Sequence, residues 1–417
     1  MGQTIIEKII AAHCGRKVQP GEIVWLELDI VSARDFGGPN VVKNYEREYG
    51  DQPVFDPDRV VFTFDLCVPA CTLKYADNQQ ICRLFAKRHG LRVFDVDCGI
   101  GSHVMIEEGL AGPGKTLVGT DSHLNILGAV GCFGQGMGDV DITFSFKTGR
   151  TWFEVPRTVK VRLTGQPSPW ATPKDLTLYL CKMLGTKQVA LKAVEFVGEP
   201  VKQFSLTGRI TLCSMVTEMA GIIGFIPELN GKTTQELMAL PGFNLEEWPE
   251  PDPDADYENE ISIDVSGLPP QVAVPYLPHK VKPITEVKGT PIDSGFIGSC
   301  TNGRVEDFRQ AADILKGKKI KPGVILKCVP ATRRVYQTLL EEGILEILFR
   351  SGAVVSNPGC GGCAEGHIGL TGEGEVQIST ANRNFYGKQG KGQTYLASPA
   401  VVAASCLAGE IISPEEI

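Results

Sequence analysis

The run Asp293-Ser294-Gly295-Phe296-Ile297-Gly298-Ser299-Cys300-Thr301-Asn302-Gly303 holds a strand, a turn and a helix start. Its apolar residues read as a short buried strand, and the small residues after Ile297 as a turn. Thr301-Asn302-Gly303 then opens a helix near Arg304. Cys300 is thereby placed at a strand C-terminus beside a helix N-terminus, where backbone N–H groups and the helix dipole favour a thiolate.

The same alternation runs outward from this stretch. Val60 to Phe64, Leu91 to Val96 and Thr116 to Gly119 are apolar strands, separated by helices at about 75–89 and about 103–110. Isoleucines 5, 6, 9 and 10 form a helical stripe over Thr4 to His13. Trp152 to Leu163 alternates with period two, and Thr172-Pro173 caps a new helix. A strand at Ala193 to Val197 and a helix at about 209–223 follow. Residues 242–260, rich in acid and proline, read as a solvated excursion. After Ile292 the alternation resumes, and a last helix opens at Ser398-Pro399 and stops at Gly409. The pattern predicts an α/β protein with largely parallel sheets, in domains spanning 1–155, 156–290 and 291–417. Residues 115–135 and 290–305 share a strand-to-glycine-turn style that hints at related domains.

Composition narrows the function. The 417 residues are 42% hydrophobic and 22% charged, the balance of an ordinary globular protein. No apolar run reaches the roughly 18–20 residues a membrane span needs. No secretory signal opens the chain, so a reducing cytoplasmic setting is expected. A net charge of −8 argues against a nucleic-acid partner, which would want a basic stripe.

Cys360 and Cys363 follow the apolar run Ala353-Val354-Val355 in Asn357-Pro358-Gly359-Cys360-Gly361-Gly362-Cys363. With Cys300 they supply three thiolates. A metal cluster so held keeps one position open for substrate, unlike an electron carrier or a structural site. Three other readings compete: a Cys360–Cys363 disulfide, a structural zinc with His367 as fourth ligand, and a thioredoxin-like dithiol. The other ten cysteines show no paired metal spacing and read as small buried hydrophobes. Cys67 and Cys71, four apart, receive no role.

His103 follows Asp97-Cys98-Gly99-Ile100-Gly101-Ser102, and His123 ends Gly119-Thr120-Asp121-Ser122-His123 at a strand C-terminus. Ligands bind at strand C-termini in α/β sheets, and a carboxylate beside a histidine raises its basicity. Against this stands the plain reading of two hydrogen-bonded loop histidines. Arg383, in Ala381-Asn382-Arg383-Asn384-Phe385 after a strand at Val376 to Thr380, has the planar fork that suits a carboxylate.

Taken together, Gly119-Thr120-Asp121-Ser122-His123, Gly298-Ser299-Cys300-Thr301-Asn302, Pro358-Gly359-Cys360-x-x-Cys363 and Asn382-Arg383-Asn384-Phe385 resemble the aconitase superfamily, in the family's order and across the chain. The closer likeness is to isopropylmalate isomerase and homoaconitase large subunits, with 2,3-dimethylmalate dehydratase as a near relative. The resemblance implies three α/β domains around one 4Fe-4S cluster held by Cys300, Cys360 and Cys363, with Asn382 beside it. It implies a hydro-lyase acting on a small hydroxy acid: first 3-isopropylmalate in leucine biosynthesis, otherwise dimethylmalate or homoaconitate. It pairs His103 with Asp121 and His123 with Glu195, adds Asp65 to the catalytic set, and gives Arg383, Lys388 and Ser122 to substrate.

No stretch here matches the family's swivelling domain, so the resemblance implies a separate small subunit in a heterodimer or heterotetramer. Some relatives become iron-sensing RNA-binding proteins on losing the cluster, a reading the acidic balance disfavours. Four positions depart from the family pattern. Leu66 stands for a histidine after Asp65, Lys388 for an arginine, Leu124 for a threonine and Gly362 for a proline.

Overall fold

In the computed structural model, which describes residues 2–363 and 366–417, three large sheets divide the chain, beside a two-stranded one. The first runs Arg92–Phe94, Val60–Thr63, Ile30–Arg34, Thr116–Gly119 and Phe133–Gly136, all parallel. The second runs Ile223–Phe225, Ala193–Val197, Thr158–Thr164 and Asn259–Asp264, also parallel. The third has seven strands. Its parallel part runs Val354–Val355, Ile325–Cys328, Ser294–Ile297, Val376–Ser379 and Gln393–Leu396. Gln271–Ala273 and Val281–Pro283 extend it antiparallel.

Central strands read as apolar runs because helices cover both faces: every residue of Val60–Thr63, Thr116–Gly119, Ala193–Val197 and Ser294–Ile297 is buried. Helix starts follow their caps. Thr4 and Glu7 close a capping box on Ile5–Cys14, and Thr172 with Asp175 closes another on Pro173–Leu184.

Several expectations shift. The expected single strand over Trp152 to Leu163 is two, with Pro156 in the break. Arg150–Glu154 pairs antiparallel with Ile23–Glu27, whereas Thr158–Thr164 enters the second sheet. The helix expected at 103–110 is Gly101–Glu107, which puts His103 in its first turn rather than a loop. The helix expected at 209–223 is Leu206–Met215, tightened into a 3₁₀ turn at Val216–Met219. Residues 242–260 are anchored, not solvated throughout: Trp248 Nε1 donates to Pro227 O at 2.9 Å, and Asp252 accepts the Gln3 N–H at 2.7 Å. The strands at 271–283, expected in the second domain, pair with the third sheet. Among the described residues no helix is long and apolar enough to cross a membrane.

Candidate active site

The order of the first sheet reverses at its centre. From Ile30–Arg34 the chain builds two strands to one side, then returns to place Thr116–Gly119 on the other. Loops leaving those two neighbours part in opposite directions, and the crevice between them is where α/β sheets bind ligands. Arg34 ends the central strand and Asp121 follows the returning one. The third sheet reverses in the same way between Ser294–Ile297 and Val376–Ser379, with Cys300 and Asn382 just past their ends. The two crevices face each other across one cavity of about 700 Å³.

Cys300, Cys360 and Cys363 all line it. Cys300 lies in the four-residue helix Ser299–Asn302, and the Cys360 loop is tied to the first sheet by its N–H donating to Asp65 O at 2.9 Å. Gly361 has φ +63°, and a Cβ there would lie 2.5 Å from the Phe296 ring, so the bend between the cysteines needs glycine. Burial pushes the Cys300 thiol up to about 12, with Asp121 adding to it. Burial likewise raises Cys360 well above the usual thiol range.

Arg34, absent from the sequence reading, joins both halves. Its Nε donates to Asp65 Oδ1 at 2.7 Å, Nη1 to Asp121 Oδ1 at 2.9 Å and Nη2 to Cys360 Sγ at 2.8 Å. Burial raises Asp121, but Arg34 and then His123 outweigh it and hold the carboxyl below its ordinary value. The signal was present: an apolar run Ile30-Val31-Ser32-Ala33 ending on a charge is a strand C-terminus. Which strands flank that end is not local information.

His123 Nε2 donates to Glu218 Oε1 at 2.8 Å, and Arg383 Nε donates to the same oxygen at 2.6 Å. Burial raises Glu218, yet His123 and Arg383 hold it below its ordinary value. The expected pairing with Glu195 is corrected. Glu195 sits on the second sheet, accepting from Ile5 N–H at 2.8 Å and the Tyr257 hydroxyl at 2.6 Å. Mid-strand in an apolar run, it faces a core; Glu218, the lone carboxylate after the helix Leu206–Met215, was the signal passed over.

The pairing of His103 with Asp121 is also corrected. His103 is wholly buried, with Nε2 donating to Cys300 O at 2.9 Å and Nδ1 facing Arg304 Nη1 at 3.2 Å. Burial and then Arg304 lower it to about 3, so the ring is neutral with its proton on Nε2. It orients the Cys300 backbone and does not line the cavity. Asp65 is buried too, its Oδ2 accepting the Gly101 N–H at 2.8 Å.

Asn382 Nδ2 donates to Cys300 Sγ at 3.3 Å and stands 3.0 Å from His123 Nε2. Ser122 and Lys388 line the cavity; Ser122 Oγ is 3.4 Å from His123 Nδ1 and 3.5 Å from Arg383 Nη1. Leu66, where the family pattern has histidine, lines it with Phe36, Tyr75 and Ile100 as an apolar wall. His367 does not: burial lowers it to about 4, and its Nε2 faces Ser356 Oγ at 3.4 Å.

The donor set fits an iron–sulfur cluster. Among the described residues no three His, Cys, Asp or Glu side chains close on a single ion, as a zinc site would require. Cluster thiolates instead hold separate corners, and N–H donors to sulfur, here from Arg34 and Asn382, are how proteins tune such centres. All thirteen cysteines are free, so Cys360 and Cys363 form no disulfide.

Residues 7–409 match the family described as "Aconitase family (aconitate hydratase)". The chain is 41% identical to 3-isopropylmalate dehydratase large subunit 1 of Methanopyrus kandleri, covering 99% of each chain. It is 40% identical to the 3-isopropylmalate dehydratase large subunit of Moorella thermoacetica, covering 100% of each. In fold it is similar to the holo-form crystal structure of Thermococcus kodakaraensis aconitase X. That likeness has a TM-score of 0.52 and 12% identity, over 86% of this chain and 84% of that one.

Proposed function

We propose, from the premise that the chain belongs to the aconitase family, that it is the large, cluster-bearing subunit of a hydro-lyase. It interconverts 2- and 3-isopropylmalate by dehydration and rehydration. The observation that carries this reading is that three thiols and His123 line one cavity, with His123 backed by the Glu218–Arg383 ion pair.

Cys300, Cys360 and Cys363 would hold one 4Fe-4S cluster, which when bound supplies a Lewis acid to the substrate's hydroxyl and carboxylate. Arg34 ties Cys360 to the carboxylates of Asp65 and Asp121 through one hydrogen bond to each. Arg383, steadied through Nε by Glu218, presents its remaining fork to a substrate carboxylate, with Lys388 as a second cation and Ser122 beside it. His123 is oriented by Glu218 at Nε2, which leaves Nδ1, on the Ser122 side of the cavity, as the nitrogen that meets substrate. His103 acts by positioning Cys300.

The wall of Phe36, Leu66, Tyr75 and Ile100 takes an alkyl branch. It favours isopropylmalate, and after it 2,3-dimethylmalate, over the third carboxylate of homoaconitate. A separate small subunit closes the cavity, and the complex works in the reducing cytoplasm. The three sheets form three α/β domains, the second ending near the strand Gln271–Ala273.

The test is anaerobic reconstitution with iron and sulfide, addition of the small subunit, and turnover of 3-isopropylmalate beside dimethylmalate and homoaconitate. Cys300→Ser, Cys360→Ser and Cys363→Ser are each expected to lose labile sulfide and activity together. Activity surviving in any of them overturns the reading.

A further inference from the structure

Cys67 and Cys71 lie behind the cavity wall and have no part in the reading above; neither lines the cavity. Their sulfurs are 3.7 Å apart. Cys67 is wholly buried and held from several sides. Asp35 carboxylate oxygens accept the N–H groups of Asp65, Leu66 and Cys67 at 3.4–3.5 Å, and Gln79 Nε2 donates to Cys67 O at 2.9 Å. Cys71 is exposed, and its N–H points at Cys67 Sγ from 3.3 Å. Packing explains a buried cysteine. It does not explain an exposed one turned onto a fixed sulfur.

The pair also touches the cluster loop. Cys71 Sγ donates to Gly366 O at 3.3 Å, and Gly366 has φ +97° with room for no Cβ, which would lie 2.5 Å from Cys67 Sγ. On the other side Thr72 caps the helix Leu73–His89, whose first turn brings Lys74 and Tyr75 to the cavity.

We propose that Cys67 and Cys71 are a dithiol–disulfide couple, closed by exchange with a low-molecular-weight disulfide. The solvent-facing Cys71 thiolate attacks one sulfur of the reagent; the reagent's S–S bond breaks and one small thiol leaves. Cys67 then loses its proton to solvent and attacks the Cys71 sulfur, breaking the mixed disulfide and releasing the second small thiol. Two electrons pass from the protein thiols to the reagent. The sulfurs close from 3.7 Å to about 2.05 Å, which draws the Thr72 cap and withdraws the Cys71 thiol hydrogen from Gly366. Exposure of Cys71 and burial of Cys67 assign the attacking and resolving roles.

The full chain, purified anaerobically, is equilibrated with glutathione and glutathione disulfide at graded ratios, alkylated and digested with trypsin. Val60 to Lys74 is one tryptic peptide carrying these two cysteines and no other. In oxidising buffers it should appear unalkylated and lighter by two hydrogens. In reducing buffers it should be alkylated twice, the ratio of the two forms changing about tenfold per tenfold change in the squared-glutathione to disulfide ratio. Cys67→Ser should stop at a glutathione adduct on Cys71. The proposal is overturned if both thiols remain alkylatable at every ratio, or if the wild type also stops at the adduct. It is equally overturned if Cys67 or Cys71 links chiefly to the peptide Ser351 to Arg383, which carries Cys360 and Cys363. The readout needs no turnover, so its failure is separate from failure of the hydro-lyase reading.

Discussion

The first and third sheets are wound alike and furnished with opposite chemistry. In each, a central strand (Ile30–Arg34 or Ser294–Ile297) is followed by two strands on one side before the chain returns to the other. The agreement reaches the opposite rim. Asp29, before the first central strand, accepts the N–H of Thr116 at 2.8 Å, and Asp293, before the other, accepts that of Val376 at 2.8 Å. At the crevices the likeness ends. One presents Arg34 hydrogen-bonded to Asp65 and Asp121, hard charged groups; the other presents Cys300 with the Asn382 amide, a soft sulfur with a neutral donor. Topology selects the position where a residue can act, and the residue type then selects hard or soft chemistry.

The most severe way to break the comparison is Arg34→Met. It leaves Asp65 and Asp121 buried without their countercharge, and removing one partner of a buried ion pair costs about 3–5 kcal/mol. Denaturant midpoints should fall accordingly. Cys300→Ser, a near-isosteric change in the matching crevice, should shift the apo-protein midpoint by less than about 1.5 kcal/mol while abolishing iron–sulfur content. Equal destabilisation by the two changes would mean that the crevices do not divide the work as described.

A second test separates two buried glutamates. Glu218→Gln should lower kcat by about 10²–10⁴-fold, the usual range for general acid–base assistance, with its partner His123 left unoriented. Glu195→Gln should leave kcat alone and cost about 1–3 kcal/mol of stability through Tyr257 and the Ile5 N–H. The pH sign follows from Glu218 being held below its ordinary value. Its ion pairs contribute stability above the unfolded carboxyl range, and that contribution is lost as pH falls through the folded value. Glu218→Gln should therefore flatten the acid limb of the stability profile. A steeper limb would refute the assignment.

These two glutamates also mark where sequence reading stops. Cys300, Cys360, Cys363 and His123 were legible because each carries a local signature: a glycine-wrapped Cys-x-x-Cys, or a small-residue turn closing an apolar strand. Glu195 has none and Glu218 only a weak one, and the choice between them depends on which carboxylate the fold brings to His123. Arg34 was hidden for the same reason, since its partners come from loops 31, 87 and 326 residues away. Strands were found where burial on both faces makes them apolar throughout. The antiparallel extension at 271–283 was not legible, because its partner, Gln393–Leu396, lies far along the chain.

The smallest effect concerns the rim that the two sheets share. Asp29 there has a histidine partner: His13, in the last turn of Ile5–Cys14, places Nε2 2.9 Å from Asp29 Oδ2 and donates from Nδ1 to Ile9 O at 2.8 Å. With both nitrogens facing acceptors the ring is an imidazolium, which also suits a helix C-terminus. Burial lowers His13, but Asp29 and the Ile9 carbonyl outweigh it and the net shift is upward from 6.5. A histidine raised in the folded state stabilises fully below its unfolded value and loses that contribution as pH rises through the folded one. Asp29, lowered on balance against its own burial, does the reverse at the acid end. His13→Gln should thus cost about 0.5 kcal/mol on the acid side of 6.5 and nearly nothing in alkali, a size set by the pair's partial exposure. Among the described residues Asp293 has no such histidine, so Asp293→Ala should lose the Val376 bond without a matching slope between neutral and alkaline pH. Thermal midpoints of the two variants across that range would then differ in slope, and parallel curves would erase the one asymmetry assigned to this rim.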